Sequence, residues 1–166
     1  MTPRTVVLAA TLVLAAALLV RWQVVAPVRV DGVSMCPTLW PGELAVLRKV
    51  GTAPRAGDVV ALSRPGEPAS VKRVVAVGGE VVEVRDAVLH VDDVEVPEPF
   101  VDHRLIDALY FGPVRVPAGR LFVLGDARDT SIDSRQYGSV PASSVTGVVV
   151  RGLGGGDRAA CPAGPS

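Results

Sequence analysis

Two patterns of apolar residues divide the chain. Thr5 to Val20 is an unbroken stretch of Val, Leu, Ala and Thr, sixteen residues without a charge. At ~1.5 Å per helical residue it spans about 24 Å, short of a ~30 Å hydrocarbon core. Adding Trp22 to Ala26, with Arg21 snorkelling to the interface, gives 22 residues, enough to cross. A cleaved signal peptide is the rival reading, since Arg4 precedes the apolar run. No small-x-small site closes that run before Arg21, and Trp22 suits an interface anchor, so an uncleaved transmembrane helix over 5–26 is expected after a short polar start, 1–4. Arg4 and Arg21 flank it on opposite sides, so charge alone does not orient it.

From Val28 onward the pattern changes to alternation and short Val-rich runs, which predicts a mainly β fold. Strands are expected at Leu44–Leu47, Val59–Leu62, Ser70–Val77, Val81–Arg85, Val88–Val91, Val94–Val96, Leu121–Leu124 and Val145–Arg151, with Asp-containing turns between the middle ones. Pro97 to Pro117 shows no helical periodicity and reads as irregular. Gly125 to Gly138 is a polar loop. The Gly-, Ala- and Pro-rich stretch 152–166 reads as a flexible tail behind a folded domain over 27–151.

Composition narrows the function classes. Basic and acidic residues balance at 17 each, and leaving out Arg4 and Arg21 of the acid-free stretch 1–26 gives 15 against 17, a net charge of −2. That is no nucleic-acid footprint. The two cysteines, Cys36 and Cys161, fit no metal spacing; they can pair in an oxidising compartment, but a small buried residue is the favoured reading of Cys36. Only Lys49 and Lys72 are lysines among the 17 basic residues. Lysine can lose its proton when buried and arginine effectively cannot, so each lysine asks for a reason.

Candidate chemistry centres on Asp31 to Leu39. Gly32 and Pro37 flank Ser34, and a turn of that kind presents the hydroxyl outward. A serine needs a base before it can act as a nucleophile. His90, in an alternating strand, and His103, between Asp102 and Arg104, have no distinctive setting for a Ser-His-Asp triad. Lys72 is the alternative: a strand sends Lys72 and Arg73 to opposite faces, and burial lowers a lysine towards neutrality. A solvated Lys-Arg pair on an edge strand remains open on residue type alone. Within Gly125–Arg135, Asp133 and Arg135 can pair and leave Ser131 pointing inward.

Taken together, these stretches resemble the boxes of bacterial type I signal peptidases. Ser34-Met35-Cys36-Pro37-Thr38-Leu39 is similar to the nucleophile box, Gly57-Asp58-Val59-Val60 to the Gly-Asp-Val-Val box, Val71-Lys72-Arg73-Val74-Val75 to the lysine box, and Gly125 to Arg135 to the Gly-Asp box, all in the family's order. The resemblance covers roughly residues 5–151. It implies a single N-terminal transmembrane helix followed by a compact, barrel-like, β-rich extracytoplasmic peptidase domain of short strands and long loops, with the N-terminus in the cytoplasm. It implies Ser34 as nucleophile, Lys72 as general base, Ser131 as the lysine's hydrogen-bond partner, and Asp133 and Arg135 as braces. The Ser34 N–H would help bind the oxyanion. Some members add a serine hydroxyl at the position of Gly32, so here the hole would rest on backbone. The substrate would add as a strand between the nucleophile and lysine strands, with Val30, Gly32, Val33, Met35 and Val71 lining shallow pockets for small side chains. Ala127 and Thr130 replace common asparagines and Glu43 a common aspartate.

The implied function is membrane-bound serine endopeptidase cleavage of signal peptides after Ala-x-Ala-type sites in secretory preproteins, with membrane lipid as the second partner and no metal, cofactor or nucleic acid. A dedicated processing peptidase with one substrate is a narrower version. A non-catalytic anchored domain that binds peptides is the alternative from another class, and Ser34, Lys72 and Ser131 together speak against it.

Overall fold

The computed structural model describes residues 11–12, 25–49, 53–101 and 110–153. Eleven strands form two antiparallel sheets among these residues: β1 Val25–Arg29, β2 Leu44–Arg48, β3 Val59–Leu62, β4 Ser70–Val77, β5 Val81–Arg85, β6 Val88–Val91, β7 Val94–Glu95, β8 Phe111–Arg115, β9 Arg120–Leu124, β10 Val140–Pro141 and β11 Val145–Gly152. The larger sheet has the order β1-β2-β11-β3-β4-β9-β10 and the smaller β7-β6-β5-β8. The mainly β expectation holds. Barrel closure does not: β1 and β10 stand at opposite edges of the larger sheet, and the two sheets pair separately.

The expected anchor lies for the most part outside the described residues. Thr11 and Leu12 are helical, and β1 begins at Val25, two residues inside the expected span. No helix among the described residues is long and apolar enough to cross a membrane.

Strands β4 and β9 are buried on both faces, which is why they read as nearly continuous apolar runs. On one face Val60, Leu62, Val74, Leu121 and Val123 pack with Val140, Val145 and Val148. On the other, Val75, Ala76, Phe122 and Leu124 meet Val82, Val84, Leu89 and Val116, which seats the small sheet. A third cluster, Val30, Met35, Leu39 and Ala45, with Val59 and Val71 packed against it, ties the Ser34 turn to β3 and β4. At about 1.5–3 kcal/mol per fully buried side chain, these clusters carry the fold.

Two hairpins turn through paired left-handed residues, Asp86-Ala87 and Asp92-Asp93, the geometry that matches strand twist across a two-residue loop. The irregular reading of Pro97–Pro117 missed β8. Gly112 and Pro113 conceal it, and a proline is tolerated there because β8 is an edge strand. The short helix Ser134–Tyr137 was also missed. Its Asp133 cap and Gln136 form a reciprocal capping box, a signal visible in the sequence.

Candidate active site

Lys72 lies on β4 opposite Val60 of β3 and is only 5 % exposed. Its neighbour Arg73 points to the other face, as alternation requires. Burial is the largest influence on the Lys72 amine and lowers its pKa from the usual 10.5; Asp133 opposes, Arg64 and Arg135 reinforce, and Asp126 opposes weakly. Desolvation disfavours the ammonium because the low-dielectric interior cannot replace its water.

Ser34 sits half-buried in a turn held by Cys36 N–H donating to the Val33 carbonyl at 2.9 Å and Leu39 N–H to the Met35 carbonyl at 2.8 Å. Met35 and Leu39 are the buried feet of that turn. Cys36 is buried as expected and is also disulfide-bonded, a state the sequence left open; Cys161 lies outside the described residues. A groove of about 170 Å³ runs past Ser34 between the Val28–Gly32 segment and Ala69–Val71, with Met35 and Ala61 also lining it. Of the expected pocket residues, Val30, Gly32, Met35 and Val71 line this groove; Val33 does not. One edge of Ser70–Lys72 pairs with β3, while β9 joins β4 only from Arg73 onward. The other edge of Ser70–Lys72 therefore carries no strand among the described residues.

The 125–135 loop meets the Ser34 turn. Ala127 N–H donates to the Ser34 carbonyl at 3.1 Å, joining loop to turn. Ser131 is buried, and its Oγ has no hydrogen-bond partner. Asp133 is fully buried. Its carboxylate accepts from Arg135 Nε and Nη2 at 2.8 Å each, from Arg135 N–H at 3.2 Å and from Gly125 N–H at 3.0 Å. Arg135 Nη2 also donates to the Ser131 carbonyl at 3.3 Å. This forked, charge-assisted pair therefore holds the backbone from which the Ser131 hydroxyl projects.

Three supporting contacts escaped the sequence reading. Arg73 forms a fork on Asp126, at 2.8 and 2.7 Å, and reaches the Gly57 carbonyl at 2.9 Å and Thr38 Oγ1 at 3.2 Å. One guanidinium thus ties the lysine box to the other three boxes. Gly57 itself turns at φ 92°, which a side chain resists. Arg128 and Glu98 form a buried pair at 2.5 Å, with Arg128 Nε on the Gly125 carbonyl at 3.0 Å. Arg64 stacks on Tyr137, 3.9 Å from its ring centroid. The opposite charges of the first two pairs were in the sequence, but in all three contacts the partners lie tens of residues apart. His90 sits on β6 of the small sheet, and His103 lies outside the described residues. No group of three or more His, Cys, Asp and Glu among the described residues is placed to hold a metal ion.

The family model described as "Signal peptidase, peptidase S26" matches residues 4–152. Signal peptidase I of Bacillus licheniformis is 36 % identical over 132 residues, covering 72 % of this chain and 70 % of that protein. Signal peptidase I T of Bacillus subtilis (strain 168) is 37 % identical over 134 residues, 72 % of this chain and 68 % of its own length. A crystal structure of a signal peptidase I from Enterococcus faecalis V583 superposes with a TM-score of 0.52 at 30 % identity, covering 58 % of this chain and 97 % of that one.

Proposed function

Because the chain belongs to the signal peptidase family, peptidase S26, we propose that its serine endopeptidase chemistry runs through a Ser34–Lys72 dyad on signal peptides of secretory preproteins. The burial of Lys72, next along β4 to the groove residues Ser70 and Val71, carries this reading. A neutral amine can take the Ser34 proton as Oγ attacks the scissile carbonyl, and return it to the leaving amine. A water then attacks the acyl-enzyme by the same route. Ser131, whose hydroxyl is buried with its bonding capacity unspent, orients the lysine, and Asp133 and Arg135 hold the loop that presents it. The Ser34 N–H serves the oxyanion, a term worth about 3 kcal/mol per donor.

The substrate adds as a strand along the open edge of Ser70–Lys72. Val30, Gly32, Met35 and Val71 shape a groove of about 170 Å³, a volume suited to alanine-sized side chains, and Val33 adjoins Gly32 in the chain. Residues 5–24 anchor the protein in the membrane behind a cytoplasmic 1–4, with a peptidase domain outside that runs from β1 at Val25 through β11 to Leu153 and a tail over 154–166. Ser34 is then ten residues past Val24, a reach of at most ~35 Å. That keeps the nucleophile near the bilayer surface, where a lipid-embedded signal peptide presents its cleavage site.

Turnover of an Ala-x-Ala peptide by the full chain, lost in both Ser34→Ala and Lys72→Arg, is the expected result. Normal cleavage by Lys72→Arg would sink the proposal, since arginine cannot serve as a base.

A further inference from the structure

We propose that Arg64, seated on the ring of Tyr137, is a positioning residue for the Lys72 base: a fixed, uncancelled positive charge on the lysine's own face of the sheet that disfavours the ammonium form. The inference rests on the assignment of Lys72 as base.

Position comes first. Val60 pairs with Lys72 and Leu62 with Ser70 across β3 and β4, so period two puts residue 64, just beyond β3, on the face that carries Lys72. Val60, Leu62 and Val74 form the core of that face, and Tyr137 packs against them. The Arg64 guanidinium lies 3.9 Å from the Tyr137 ring centroid. Arg64 Nε and the Tyr137 hydroxyl are both buried without hydrogen-bond partners.

Charge cancellation comes next. The charged groups around Lys72 are Asp133, Arg64, Arg135 and Asp126. Asp133 is neutralised by the Arg135 fork and Asp126 by the Arg73 fork. Arg64 differs: its carboxylate neighbour, Glu67, stands 4.0 Å away with 54 % of its side chain in solvent, where water screens the pair. An aromatic ring seats a cation without neutralising it, whereas a carboxylate in the same place would abolish its field. Tyr137 adds no charge of its own, because burial pushes its phenol up to about 12. Arg64 accordingly acts on the amine in the same direction as burial.

The test is the pH dependence of kcat/KM for an Ala-x-Ala peptide at low salt, in a charge series at position 64. Removing a nearby cation makes the lysine easier to protonate, so the acidic limb must move to higher pH. Arg64→Met should shift it by about half a pH unit or more, Arg64→Glu further, and Arg64→Lys little. Tyr137→Leu, which unseats the guanidinium, should follow Arg64→Met, and Tyr137→Phe should behave as the parent. The alkaline plateau should stay within about threefold, since no bond to substrate is removed. If Tyr137→Leu opens too large a cavity to fold, the position-64 series decides alone. An unmoved limb across that series, or an equal loss of activity at every pH, overturns the inference. Lys72→Met, run in parallel, separates the two claims: activity retained there removes the base itself, whereas activity lost there with an unmoved limb in the series removes only the role of Arg64.

Discussion

The Ser34 carbonyl accepts a hydrogen bond from the Ala127 N–H at 3.1 Å, so the turn holding Ser34 and the loop holding Ser131 meet main chain to main chain. Gly125 makes that approach possible. A Cβ there would lie 2.5 Å from the Ser34 carbonyl oxygen and 2.2 and 2.4 Å from Ser131 Oγ and Cβ. None of these is the free end of a long side chain, so the backbone itself must move. Gly125→Ala is expected to destabilise the fold by about 1–3 kcal/mol and to lower kcat/KM by on the order of 10²-fold, because a displacement near 1 Å misaligns the reacting groups. Urea unfolding and peptide cleavage measure both. A variant with parental activity would show that the loop and the turn need not meet.

Lys72 also sets a pH dependence of stability. Burial depresses its pKa in the folded state, so between that value and the ordinary 10.5 the unfolded chain binds the extra proton. Stability contributed by this residue therefore rises with pH across that window and is lost as pH falls through it. Lys72→Met, apolar and of similar length, is expected to be more stable than the parent at neutral pH and to approach it at alkaline pH, while kcat falls by on the order of 10⁴-fold or more. Denaturant midpoints at several pH values check the sign. A parent less stable at pH 10 than at pH 7, relative to Lys72→Met, would contradict it.

Much of this arrangement was legible along the chain because its signals are local. The strand Ser70–Val77 follows from its apolar run, and alternation alone separates Lys72 from Arg73. The Asp133–Arg135 pair is two residues apart, close enough to be read from the loop. What stayed hidden depends on distance in sequence: Arg73 meets Asp126 across 53 positions, and Glu98 meets Arg128 across 30. No periodicity encodes such pairings, since they arise only once β4 and β9 lie side by side. Strand β8 was missed for another reason, its Gly-Pro sequence being tolerated at a sheet edge that residue type alone does not reveal.

Ser131 separates activity from stability. Its buried hydroxyl has no partner, and an unmet buried hydroxyl costs about 1–3 kcal/mol. Ser131→Ala removes that burden together with the group proposed to orient Lys72. The expected outcome is an unfolding midpoint equal to or above that of the parent, with kcat reduced by on the order of 10²-fold. Thermal unfolding and single-turnover cleavage read the two effects. A variant that is clearly less stable yet fully active would assign Ser131 to the fold alone.

Gly32 offers the opposite experiment, a gain. It is exposed, has no left-handed φ, and a Cβ built on it meets nothing within 4 Å, so a side chain fits without rearrangement. It lines the same groove as Ser34, which lies two residues further on in the chain. On the proposed mechanism a hydroxyl placed there adds a second donor to the oxyanion, and such donors are worth about 10²–10³-fold where the geometry is already set. Because surrounding groups have not been arranged around this one, a rise in kcat of about tenfold is expected for Gly32→Ser, with KM little changed, since the new bond strengthens only as the carbonyl becomes tetrahedral. Gly32→Ala is the control: it adds the same Cβ without a donor and should leave kcat at the parental level. Equal behaviour of the serine and alanine variants would show that position 32 does not face the oxyanion.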